Sequence, residues 1–324
     1  MDSVGCPRQT FPKMNTNNVL TRENLKGNWC TLLIPIDAEE EIRWDLLSAE
    51  LDALVSFHPD GIYSNGTAGE FHNQTEDEFD RISELMADKC HEVNVSFQIG
   101  AAHPAPILSI ERIRRTVTLR PSAYQVILPD WVTATPDEQD RFLDKIAEAA
   151  NGIPLVLYNP PHAKTVLSPK ALKTLAARHP ALIGIKTAAG DSAWYDEMSW
   201  SSGCFSVFVP GHFLASGHAT GIADGAYSNV ACLSPAGAQR WWHQMLSDSP
   251  GALDVESRIQ SFFSESILPF KESGYSNPAL DKLLAAAGGW CPIETRLRWP
   301  YQSIPQDEVN RVAQNARRWL PEFF

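Results

Sequence analysis

Six cysteines lie scattered through the 324 residues, at Cys6, Cys30, Cys90, Cys204, Cys232 and Cys291, and none forms a CxxC pair or any zinc-ligand spacing. A chain this long has enough core to fold without staples, so they read as small buried hydrophobes in a reducing compartment. No apolar run is long enough to span a membrane, and the N-terminus lacks the apolar core of a secretory signal. A cytoplasmic protein with no membrane partner is therefore expected. Positive charge is in deficit: 27 Lys and Arg face 39 Asp and Glu, a net charge of −12. That balance argues against a nucleic-acid or anionic-membrane surface, which needs a basic stripe. It leaves room for an anionic substrate at one local positive site. HxH and HExxH pairs are missing, and so are internal repeats and low-complexity segments.

What is present is an alternation. Residues 1–25 are polar, proline-containing and without period, and read as an N-terminal tail. From 26 to 248, short apolar runs near 29–35, 61–64, 93–99, 124–128, 153–158, 182–186, 205–209 and 225–228 alternate with helical patterns. Thr75 with Glu78 has capping-box spacing, and Thr135-Pro136-Asp137-Glu138 adds a proline at the first helical position. Ser168-Pro169 and Ser234-Pro235 are further cap-plus-proline starts. Eight such units within about 220 residues suit a closed (β/α)8 TIM barrel, which typically takes ~250. A doubly wound open sheet is the alternative, but no GxGxxG fingerprint follows the first strand. After 248 the strand signals stop. Helical patterns at 252–270, 278–287 and 306–320 predict a C-terminal helical appendage over 249–324.

One strand ends unusually. Leu182-Ile183-Gly184-Ile185-Lys186-Thr187 reads as a buried strand closing on a lysine, with Ala188-Ala189-Gly190-Asp191 leading into a helix. A buried ammonium must be paired or lose its proton, and a neutral amine can attack a ketone to form a Schiff base. Against this stands a lysine that merely snorkels to solvent.

Two further stretches decide between these readings. They are Tyr158-Asn159-Pro160-Pro161, one strand earlier, and Gly66-Thr67-Ala68-Gly69-Glu70, after the second strand. With Ile183-Gly184-Ile185-Lys186 they resemble, in order and interval, the dihydrodipicolinate synthase/N-acetylneuraminate lyase family of class I aldolases. The resemblance runs from about Asn24 to the C-terminus. It implies a Schiff base at Lys186, a proton relay through Tyr158 and Thr67, and a 2-oxo acid carboxylate held by Gly66, Thr67 and Ala68. The loop alone reads equally as a tight turn, and Tyr158 alone as an amphipathic rim residue. No cofactor or metal is called for, since the protonated imine is itself the electron sink. A homo-oligomer, dimer or tetramer, is expected.

Departures from the family pattern bear on substrate. Ala68 stands where threonine is usual. Pro129-Asp130-Trp131 replaces a proline-tyrosine-tyrosine loop, and an indole N–H cannot shuttle a proton as a phenol does. No arginine follows Tyr158 at the expected place, where Lys164 offers only a point charge. Tyr227 and Cys232 lie in the stretch matching the family's glycine-x-x-serine strand. Tyr227 and His212 are expected to give the distal pocket aromatic and hydrogen-bonding character. His103, Asp130 and His212 all fall just past strands, so a metal cluster is an alternative for them, with substrate contact the favoured reading. Cys232 as a reactive thiol lacks a paired histidine. Trp200, Trp241, Trp242, Trp290 and Trp299 read as core and interface packing.

The expected activity is that of a class I aldolase or lyase acting on pyruvate or a related 2-oxo acid and an aldehyde, and not a genuine dihydrodipicolinate synthase. Two alternatives stay open: a 2-keto-3-deoxy sugar acid dehydratase using the same imine, and a non-catalytic 2-oxo acid binding protein.

Overall fold

A computed structural model describes residues 20–188, 192–200 and 203–324. Residues 1–19 of the predicted tail, including Cys6, lie outside the described residues, as do Ala189, Gly190 and Asp191.

Eight parallel strands close on themselves in chain order: β1 (Gly27–Thr31), β2 (Gly61–Ser64), β3 (Phe97–Gly100), β4 (Ala123–Ile127), β5 (Leu155–Asn159), β6 (Leu182–Thr187), β7 (Ser206–Val209) and β8 (Gly225–Tyr227). Helices α1 (Trp44–Ser56), α2 (Glu76–Val93), α3 (Pro106–Thr116), α4 (Pro136–Ala150), α5 (Pro169–Arg178), α6 (Ser192–Ser199) and α7 (Leu214–Ala219) connect them. α8 (Asn229–Leu233) and α9 (Pro235–Ser247) follow β8, and α10 (Ser249–Ser266), α11 (Leu268–Glu272), α12 (Asn277–Gly288) and α13 (Glu308–Trp319) complete the chain. The fold is the expected (β/α)8 barrel with C-terminal helices.

Local chemistry sets the helix starts. The Thr75 hydroxyl accepts from the Glu78 N–H while the Glu78 carboxylate accepts from the Thr75 N–H, a complete capping box. Thr135 and Glu138 form another, and Ser168 and Ser234 cap helices that open on proline. Each cap satisfies donors that the helix cannot, for about 1 kcal/mol.

Two strand boundaries differ from the apolar pattern. The run predicted as a strand over 29–35 leaves the sheet after Thr31, yet Leu32, Leu33 and Ile34 stay buried. Leu33 packs with Ala68, Ala285 and Ile293 beneath the C-terminal helices, so its hydrophobicity reports that contact and not the sheet. Val93, predicted to open a strand, ends α2 and is exposed, and β3 begins at Phe97. Of the tryptophans, Trp241 and Trp242 are buried in the core, whereas Trp200 and Trp299 are exposed.

Inside the barrel the rings of Trp29, Tyr63, Phe208 and Tyr227 pack together, with Leu20 and Leu25 beneath them. Leu25 enters because β6 carries Gly184: a Cβ there would lie 2.5 Å from the Leu25 side chain. Residues 20–25, expected to belong to the tail, thus help to plug the floor. The opposite mouth is covered by the helices after Asp248. Asn277, Leu280, Asp281 and Leu284, spaced to share one face of α12, border the cavity below.

Candidate active site

Lys186 stands beside Tyr158 in the β5–β6 register, one residue before β6 ends. Its Nζ donates a hydrogen bond of 3.2 Å to Tyr63 Oη. It also lies 4.5 Å from the Tyr158 ring centroid, 4.8 Å from that of Tyr63 and 5.2 Å from that of Tyr227. Three ring faces attract the cation but do not replace its lost hydration. Desolvation lowers the Lys186 pKa to about 8, with the nearby Asp281 charge opposing the shift. The amine is therefore neutral far more often than a solvated lysine at the same pH.

Two hydroxyl pairs surround it. The Tyr158 phenol is bonded to the Thr67 side chain, and burial pushes its pKa up to about 12. The Tyr63 phenol, bonded to Thr31 across the β1–β2 register, is pushed well above the usual range, again by burial. Both phenols thus keep their protons and can each donate and accept.

The loop after β2 is shaped by close approach. A Cβ on Gly66 would lie 2.5 Å from the Tyr63 ring, so only glycine lets the loop fold over that tyrosine. Thr67 faces the cavity, and Ala68 is buried against Leu33, Ala285 and Ile293, where a methyl suits better than a hydroxyl. Glu70, at φ 52°, closes the turn with its carboxylate 2.6 Å from Lys282 Nζ on α12, and this pair is buried. Lys282 Nζ also donates to the Arg296 carbonyl at 2.6 Å.

Two cavities meet at this loop. The inner one, about 560 Å³, holds Lys186, Tyr63, Thr67, Tyr158, Tyr227 and Asp281 among its lining. The outer one, about 550 Å³, is walled by Phe71, His72, His103, Trp131, His162 and Tyr301 among others. Thr67, Lys271 and Asn277 line both.

The remaining candidates divide. Tyr227 contributes its ring to the inner cavity, but its hydroxyl donates to Gln98 Oε1 at 2.7 Å inside the barrel. It is a floor residue, and not the distal hydrogen-bonding group expected. His212 lines the inner cavity, stacked on Phe263 at 5.0 Å, and burial lowers its pKa to about 4. Its Nδ1 lies 2.8 Å from the Asn229 amide, which donates to it and leaves the imidazole proton on Nε2. Trp131 stands on the outer rim, 80% exposed. Lys164 borders neither cavity: its Nζ donates to the Trp131 carbonyl at 2.7 Å and lies 4.9 Å from the Trp131 ring centroid. The substitute cation expected there is spent on the rim. His103 and Asp130 line the outer cavity, apart from His212 in the inner one. The Cys232 thiol is buried, with its pKa raised well above the usual range by desolvation, which disfavours the reactive thiolate.

Among the lining residues that escaped the pattern are Tyr63, Thr31, Lys271 and Asp281. Tyr63 hides in an apolar strand. Asp281 carried a legible signal, as a carboxylate set between Leu280 and Leu284 on one helix face.

Residues 24–209 match the Dihydrodipicolinate synthetase family. The chain belongs to that family. It is 26% identical over 210 residues to a 4-hydroxy-tetrahydrodipicolinate synthase of Rhizobium meliloti (strain 1021), spanning 64% of this chain and 69% of that one. Among solved structures, it superposes with a TM-score of 0.79 and 19% identity on YagE, a prophage protein of E. coli K12 crystallised with pyruvate, over 91% of this chain and 98% of that one. A sialic acid aldolase of Ruminococcus gnavus, solved as a catalytic lysine mutant, gives a TM-score of 0.80 at 18% identity, over 93% and 99%. As a dihydrodipicolinate synthetase family member, the chain has the fold and kinship of an aldolase-type lyase.

Proposed function

We propose that the chain makes or breaks a bond of a 2-oxo acid, pyruvate or a close relative, through a Schiff base at Lys186. The observation that carries this reading is the Lys186 amine itself, partly neutral and 3.2 Å from a phenol in a cavity large enough for substrate. The pyruvate in the YagE crystal and the catalytic lysine of the Ruminococcus aldolase support it by likeness.

The neutral amine adds to the ketone, and the Thr67 hydroxyl with the loop N–H groups of Thr67 and Ala68 receives the carboxylate. Tyr158, bonded to Thr67, moves the proton between the amine nitrogen and the new alkoxide as the carbinolamine forms. Tyr63 stands where it too can take or return a proton at Nζ, the place a second relay phenol would fill. The protonated imine withdraws electrons, acidifies C3, and lets an enamine attack an aldehyde or release one. Elimination of a hydroxyl from a 2-keto-3-deoxy acid runs through the same imine.

The partner aldehyde sits in the outer cavity. Aspartate semialdehyde fits poorly there, because no arginine lines either cavity among the described residues and Lys271 is a point charge, not a bidentate fork. Aromatic walls and neutral donors suit an aromatic or hydroxylated aldehyde.

Incubation with pyruvate, borohydride reduction and peptide mapping test the reading. An adduct on Lys186 is expected; an adduct elsewhere, or none with the folded protein, overturns it.

A further inference from the structure

The inner cavity contains three charged side chains: Lys186, Lys271 and Asp281. Asp281 is its one carboxylate among the described residues, and the relay described above leaves it without a part. It comes from α12, a helix outside the barrel sequence, yet it is held with precision. The next residue, Lys282, is buried and paired with Glu70, which anchors that turn of α12 to the Gly66–Glu70 loop. Leu280 and Leu284 flank Asp281 on the same face, so the carboxylate enters the cavity from an apolar wall.

The groups that face it are defined. Its charge acts on Lys186 of β6, Tyr63 of β2, Tyr158 of β5 and Cys232 of α8, and Lys271 of α11 borders the same cavity. Tyr63, Tyr158 and Cys232 hold their protons, and His212, which lines the same cavity, is held neutral by burial. Lys186 is the one whose charge is felt at Asp281 in turn.

Burial acts on the two partners in opposite senses. It raises the Asp281 pKa to about 7 and lowers that of Lys186 to about 8. Two opposite charges lining such a cavity are each partly desolvated, and passing one proton from nitrogen to oxygen removes both. The resulting neutral amine beside a neutral carboxylic acid is the combination that imine chemistry needs: a nucleophile and a proton donor.

We propose that Asp281 is the acid–base partner of Lys186, acting across the inner cavity through water: its carboxylate takes the proton that frees the amine, and its carboxyl returns that proton to the departing hydroxyl. The inference rests on the Schiff-base reading of Lys186. The protons balance. Lys186 ammonium and Asp281 carboxylate become amine and carboxylic acid. The amine adds to the ketone, and the nitrogen proton passes to the new alkoxide, giving a neutral carbinolamine. The carboxylic acid then protonates the carbinolamine hydroxyl, the C–O bond breaks, and water leaves. A protonated imine remains beside a carboxylate that offsets its charge. No oxidant, reductant or further reagent enters.

The test follows the rate of imine trapping on the full-length chain with pyruvate and cyanoborohydride, read by intact mass and peptide mapping from pH 5 to 9. The unmodified protein should label at Lys186. Asp281→Asn should label the same lysine about 10²–10⁴-fold more slowly, the range of one general acid–base group, and lose the rise and fall of rate with pH that a carboxyl near neutrality imposes. Asp281→Glu should recover part of the rate. In Asp281→Ala, added formate should restore labelling in proportion to its concentration, which a purely structural carboxylate would not allow, and this variant serves if Asp281→Asn fails to fold. Labelling of Asp281→Asn at the unmodified rate and with the unmodified pH profile overturns the role of Asp281 while leaving Lys186 in place. Failure of formate to act on a folded Asp281→Ala overturns it as well. Absence of any Lys186 adduct in the unmodified protein overturns the Schiff-base reading, and the inference with it.

Discussion

Lys282 Nζ on α12 lies 2.6 Å from the Glu70 carboxylate at the end of the loop after β2, and both side chains are almost fully buried. This contact joins the last third of the chain to the loop that carries Gly66, Thr67 and Ala68, and it sets the turn of α12 from which Asp281 faces the cavity. Removing one partner leaves a buried charge unpaired, which costs about 3–5 kcal/mol. Glu70→Gln and Lys282→Met should each destabilise the protein by that order in urea unfolding, and the double variant by less than the sum. Single losses below about 1 kcal/mol would mean that the pair does not hold the loop.

The two phenols at Lys186 should behave differently from packing residues. Tyr63→Phe and Tyr158→Phe keep the rings over Nζ and remove only the hydroxyls bonded to Lys186 and Thr67. Each should lower kcat by about 10²–10⁴-fold with little change in unfolding midpoint, and the pair should be less than additive. Near-normal turnover in either variant would reduce that phenol to a positioning role. Thr67→Val should slow turnover and raise KM for the 2-oxo acid together, since Thr67 serves both the relay and the carboxylate.

Stability should carry the signature of the Asp281–Lys186 pair. Between 3.8, its ordinary value, and about 7, folded Asp281 keeps a proton that the unfolded chain has lost, so its contribution to stability falls as pH rises through that window. For Lys186 the sign reverses. Between about 8 and 10.5 the unfolded chain holds the proton and the folded chain does not, so stability rises with pH there. Relative to the unmodified protein, Asp281→Asn should therefore gain stability from pH 4 to 7. Lys186→Met should show its largest relative gain below pH 8 and lose it towards 10.5. Parallel stability curves across both windows would contradict the desolvation of the two groups.

Trp131 projects from the outer rim with Lys164 held against it, far from the barrel core. Trp131→Ala should leave the unfolding midpoint and pyruvate imine trapping unchanged while raising KM for bulky aldehydes. Lys164→Ala should leave trapping unchanged as well, because its ammonium borders neither cavity. A large rise in KM for an anionic aldehyde in Lys164→Ala would restore it as a ligand of the aldehyde's carboxylate.

Much of this protein was legible in its sequence because the signals were local. The capping boxes at Thr75 and Thr135, the proline starts at Pro169 and Pro235, and the apolar strand runs each act over a few residues. Their alternation leaves few topologies, and the barrel follows. Lys186, Tyr158 and the Gly66 loop could be named because each sits at a strand end, and strand ends in a barrel converge on one face. What tertiary structure alone decided was how distant elements share that mouth. Tyr63 meets Lys186 across 123 residues of chain, and an inward tyrosine in an apolar strand looks like core until its hydroxyl is seen on an amine. Lys164, adjacent in sequence to the site, turns away because the Trp131 carbonyl and ring compete for its flexible ammonium. Asp281 enters from a helix that no strand–helix rhythm places, at an angle set by the Glu70–Lys282 contact. Periodicity tells which face of an element is buried; which other element covers it is a matter of packing in three dimensions, and that packing brought Asp281 into the cavity of Lys186.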